Sequence, residues 1–121
     1  MTVDADEVPL WHVTVTVQGQ PCDLIDVREA LERLAFERPF LLAGRYAVDR
    51  AEIRYWEEAR TLPDAAALAM TVWADHRRSA DLPPWSVVGL EVVDQPTHTW
   101  RTAARWTRQP ALAPAGDIRP F

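Results

Sequence analysis

The 121-residue chain contains no lysine and no asparagine, so every strongly basic side chain is an arginine. Lysine and asparagine codons are AT-rich, and their absence reads as GC-rich codon usage rather than as function. Cysteine is nearly absent too: Cys22 stands alone. That excludes an internal disulfide and any cysteine cluster for zinc. No apolar run approaches the ~20 residues that a membrane-spanning helix needs, so no membrane span is expected. The start, Met1 to Glu7, is acidic. It lacks the positive start and apolar block of a signal peptide, and a cytoplasmic, bacterial protein is expected.

What is present suits one globular domain. The hydrophobic share is 48% and the formal net charge −5. A uniformly acidic surface would repel nucleic acid and anionic membranes. The charge is uneven, however. Residues 1–94 hold nine arginines against seventeen acids, or −8, whereas residues 95–121 hold four arginines against one acid, or +3. The sequence thus describes an acidic domain with a basic tail.

Trp11, Val13, Val15 and Val17 alternate with His12, Thr14 and Thr16, the period-two pattern of a half-buried strand. A helix follows from a cap at Asp23, with Leu24, Val27, Leu31 and Leu34 forming one stripe, and Arg38-Pro39 closes it. Phe40–Ala47 and Ala51–Trp56 read as a hairpin, with Gly44 as a candidate bulge. Thr61 and Asp64 have capping-box spacing and open a second helix, whose stripe is Ala65, Leu68, Ala69, Val72, Trp73 and His76. A last strand spans Trp85 to Val93. After Asp94 the pattern stops, and Pro110 to Gly116 reads as extended or mobile chain.

This order, β-α-β-β-α-β, predicts an α+β ferredoxin-like sandwich over residues 9–94. Its four-stranded antiparallel sheet carries both helices on one face. An acidic extension, 1–8, precedes it and the basic Arg/Trp/Pro-containing tail, 95–121, follows.

Several segments carry a resemblance: Trp11 to Val15, Arg38 to Leu42, Gly44 to Ala47, Tyr55 to Ala59 and Leu82 to Trp85. With them the chain resembles a small uncharacterised actinobacterial protein family, to which no activity attaches. A second likeness is narrower. Val17-Gln18-Gly19 after a first strand is similar to the phosphate loop of acylphosphatases. That resemblance would require an arginine soon after the loop and an asparagine to orient water. Here Pro21, Cys22 and Asp23 follow, and the chain has no asparagine.

No recognisable catalytic motif is present, and neither a cofactor nor a metal site is expected. His12, His76, His98 and Cys22 form no close metal-binding pair. His76 falls on an apolar stripe, where a core histidine with one satisfied nitrogen is the default. Two surfaces remain. If Val13, Val15 and Val17 face the helices, then His12, Arg45, Arg54 and Trp56 occupy the open sheet face. An aromatic and arginines there are similar to the platform on which RNA-recognition modules stack bases. Glu52 and Glu91 share that face, though, and the glycine-aromatic signatures of such modules are missing. The second surface is the tail, with Trp100, Arg101, Arg105 and Trp106, residue types that anchor interfaces. The expectation is a non-enzymatic binding or regulatory module acting through protein–protein association, with a protein partner or as a homodimer. The alternative is a small-ligand-binding or enzymatic domain with a cleft formed on dimerisation. Nucleic-acid binding ranks last.

Overall fold

A computed structural model describes residues 8–105 and 117–121. In chain order the elements are β1 (Leu10–Gln18), α1 (Leu24–Glu37), β2 (Leu41–Tyr46), β3 (Arg50–Glu58), α2 (Leu62–Arg77), β4 (Ser86–Asp94), α3 (Gln95–Arg105) and β5 (Asp117–Pro120). The fold is α+β.

The local signals act as their chemistry dictates. Asp23 caps α1, its carboxylate accepting from the Ile25 amide at 3.0 Å. Thr61 caps α2 by accepting from the Asp64 amide at 3.2 Å, and Pro63 sits in the first turn, where no amide is needed. At the far end of α1 the Arg38 amide donates to the Leu34 carbonyl at 2.9 Å before Pro39 turns the chain away.

Val13, Val15 and Val17 of β1 and Ile53 and Tyr55 of β3 lie on the helix side of the sheet. They pack against Val27, Leu31 and Leu34 of α1 and Ala69, Val72 and Trp73 of α2. Each such side chain taken from water contributes roughly 1.5–3 kcal/mol before entropy is set against it. Leu68, expected on the buried stripe of α2, is half exposed instead, and its place is taken by the helix's alanines packing close to the sheet.

The sheet order is β4-β1-β3-β2-β5. Among the first four strands every neighbouring pair is antiparallel, as the β-α-β-β-α-β reading requires. The sheet nevertheless has five strands, not four, and is mixed. β5 joins the edge of β2 in parallel register, Ala43 opposite Asp117 and Tyr46 opposite Pro120. The tail is therefore not a free appendage: its first part is α3 and its end is β5. Pro110 to Gly116 lie outside the described residues.

Two contacts hold β5. Ile118 packs on the core beside Gly44, where a Cβ would approach the Ile118 Cδ1 to 2.9 Å. Gly44 thus admits a neighbouring side chain. The irregularity of the β2–β3 ladder, which the sequence suggested at Gly44, falls between Leu41 and Ala43. The second contact is Arg45, which donates to the Asp117 carbonyl at 3.0 Å and pairs with its carboxylate at 3.2 Å.

Candidate functional site

On the side of the sheet away from α1 and α2, the side chains form cross-strand rows. Val93, His12 and Trp56 lie side by side; next come Glu91, Thr14 and Arg54, then Gly89, Thr16 and Glu52. The expected open face is this one, but α3 crosses its β1–β4 half. Asp94 starts that helix by accepting from the Thr97 amide at 2.8 Å, and Pro96 sits in its first turn.

His98 reaches from α3 onto the sheet. Its ring stacks on His12 with centroids 3.9 Å apart and planes 17° apart. Trp56 meets both imidazoles edge-on, at 5.3 Å from His12 and 4.9 Å from His98. His12 is only 7% exposed. Burial above all, with His98 and Arg54 nearby, lowers its pKa to about 4, so it is neutral at pH 7. Burial also lowers the pKa of His98, helped by Arg54 and Arg101. Sequence reading considered His98 only as a metal ligand. The missed signal was the Asp94–Pro96 start of a helix that carries His98, Arg101 and Thr102 on one face at three- and four-residue spacing.

Beside this aromatic cluster, α3 and the sheet enclose a cleft of about 480 Å³. His12, Thr14, Arg54 and Glu91 line its sheet side, and His98 and Arg101 its helix side. Both arginines are partnered. Arg54 pairs with Glu52 at 3.1 Å and Arg101 with Glu91 at 3.4 Å. The cleft therefore offers two charges of each sign, the hydroxyls of Thr14 and Thr102 and the neutral imidazole of His12. Among the described residues no group of three or more histidine, cysteine or acidic side chains converges as a metal site would require.

The structure brings together His12, Arg54, Trp56 and Arg101. Arg45 lies on the same sheet face, opposite Glu52, where it lines a small adjoining cavity with Glu52 and Arg54 and is also tied to Asp117 of β5. Trp100 is on α3 but points away from the sheet, 73% exposed. Arg105 ends α3, its side chain outside what is described, and Trp106 lies outside the described residues.

Two other regions can be weighed for chemistry. In the Gln18–Asp23 loop two amides are in use: Gly19 donates to the Asp49 carbonyl at 3.0 Å and Cys22 to the Val48 carbonyl at 2.7 Å. Trp85 packs onto Gly19 and donates to the Gln20 carbonyl at 2.8 Å. This loop is a packed connection and not an open anion cradle. His76 joins the C-terminal ends of α2 and α1, its Nδ1 2.7 Å from Glu37, whose carboxylate also accepts from Ser79 at 2.7 Å. Hydrogen bonds from Ser79 and His76 lower the Glu37 pKa.

Comparison with known proteins adds the following. The model of a family described as "Domain of unknown function (DUF8830)" matches residues 10–109. No curated protein matches. Among solved structures, the chain is similar to an acylphosphatase from Coxiella burnetii, with 15% identity, a TM-score of 0.37 and full coverage of both chains. It is also similar to a REP-associated tyrosine transposase bound to a REP hairpin, with 15% identity and a TM-score of 0.39 over 85% of this chain and 68% of that one. Likeness at this level carries no argument about activity.

Proposed function

The chain belongs to the DUF8830 family, and we propose for it the role of a non-enzymatic binding module that acts through protein–protein association. The observation that carries this reading is Trp100. It stands 73% exposed on a helix whose other side is fixed to the sheet by His98. An exposed indole on an anchored helix, next to an arginine, has the composition of an interface anchor. Face and tail, read from the sequence as two surfaces, merge into one here, because α3 belongs to both.

The test is association of the full chain and its Trp100→Ala variant, by light scattering and by capture of partners on tagged protein. The reading expects an unchanged circular dichroism spectrum and association weakened at least about tenfold, as for a truncated anchor. If the variant matches the parent in both mass and captured partners, the reading fails.

A second reading is favoured by the cleft under α3. Paired charges of both signs around a neutral imidazole suit a small ligand bearing both a carboxylate and an ammonium group. Such a ligand would raise the thermal midpoint of the parent and not of Arg54→Ala. A zwitterion library that gives no shift with the parent would eliminate it.

A further inference from the structure

The two edges of the sheet are treated differently. At one edge β5 is only four residues long and carries Asp117, Arg119 and Pro120. Charge, proline and shortness all keep a strand edge from pairing with another chain. At the other edge β4 runs for nine residues, Ser86–Asp94, and contains neither proline nor arginine. No strand pairs with its outer side among the described residues. Val88 is 59% exposed and Leu90 38%. A long apolar edge of this kind is a template for strand addition.

We propose that the occupant of this edge is β4 of a second copy of the chain, antiparallel and centred on Leu90. The strand is self-complementary about that residue. Leu90 then faces Leu90 and Val92 faces Val88; the match ends there, because the β-bulge sets Val87 on the helix side, opposite Val17, and Val93 on the α3 side, opposite His12. Each Glu91 faces Gly89 of the other copy, so no carboxylate confronts another. Centring on Glu91 instead would set the two carboxylates directly opposite.

Over the five residues Val88–Val92 the faces agree. Leu90 and Val92 lie opposite Val15 and Val13, on the helix side, so pairing extends the apolar row of one copy into the next. Glu91 lies opposite Thr14, on the α3 side, where Arg101 already partners it. The bulge in the β1–β4 ladder falls at Val87–Gly89 and leaves the central Leu90 in regular register. This surface is separate from Trp100, and the two can be tested apart.

The experiment uses the full chain in a Cys22→Ser background. Facing residues of an antiparallel pair bring their Cβ atoms within roughly 5 Å, close to disulfide reach. Leu90→Cys should therefore give a covalent dimer under mild oxidation, whereas Ser79→Cys should not. Light scattering of the parent should give twice the mass of one chain, and Val88→Lys, at an exposed position, should restore the single mass with an unchanged circular dichroism spectrum. Trp100→Ala should leave the Leu90→Cys cross-link intact. A parent that stays at single mass at every concentration overturns the proposal. So does a dimer that Val88→Lys leaves whole, or that Trp100→Ala abolishes; the last result would retain Trp100 as an anchor while removing β4 from the interface.

Discussion

His98 lies flat on His12, ring against ring at 3.9 Å, and this contact fixes α3 to the sheet. Two imidazoles so placed cannot both carry a proton without repulsion, and Arg54 adds to it. The unfolded chain takes up a proton on His12 near its ordinary value of 6.5, whereas the folded chain resists until about pH 4. The folded pKa is depressed, so the contribution of neutral His12 is complete above 6.5 and is lost as pH falls from 6.5 to about 4. At 1.36 kcal/mol per pH unit the loss is at most about 3 kcal/mol. His98 acts with the same sign. Denaturant unfolding at pH 7 and pH 4.5 should show this loss, and His12→Phe, an aromatic that does not titrate, should show less of it. An equal pH dependence in both proteins would exclude His12 as its source.

The join between β2 and β5 should depend on Arg45 and Asp117. Burial opposes the charge on Asp117, but hydrogen bonds from Arg119 and Arg45 hold its carboxyl below the ordinary range. Asp117→Ala leaves Arg45 without its carboxylate partner, and the β2–β5 join should loosen. Hydrogen exchange should quicken along the β2–β5 edge first, with β1 and β3 unchanged. Uniform protection in the variant would mean that Ile118 alone holds the strand.

Trp85 is a stronger case. Its ring is parallel to that of Trp73, with centroids 6.2 Å apart, and its Nε1 holds the Gln20 carbonyl. Trp85→Ala should cost about 3–5 kcal/mol, seen as a lower denaturation midpoint. A loss below about 1 kcal/mol would show that the Gln18–Asp23 loop does not rely on it.

Much of this fold could be read from local signals. The valine alternation of β1, the caps at Asp23 and Thr61 and the stop at Pro39 each act over a few residues, and the structure obeys them. The fifth strand could not be read that way. β5 is four residues long, and only the space at Gly44 and the reach of Arg45, more than 70 positions away, give it a place. The third helix had a legible start in Asp94 and Pro96, but its polar face lacks the apolar stripe that marks a core helix. The site shows the same division. Strand alternation placed His12, Arg54 and Trp56 on one face, whereas the return of His98 and Arg101 over that face depends on a helix docked by aromatic stacking. Arg45, assigned by the same alternation, does lie on that face beside Glu52, and it also reaches Asp117 of the neighbouring strand, a contact that local pattern could not show.

The central claim is association through the anchored helix, and the most direct measurement is light scattering with parallel partner capture on the full chain and on Trp100→Ala. The account predicts that the folded variant captures its partners at least about tenfold more weakly, while the mass set by the β4 edge and the unfolding curve are unchanged. Equal capture by both proteins would contradict it, and the cleft beside His12 would then become the leading site.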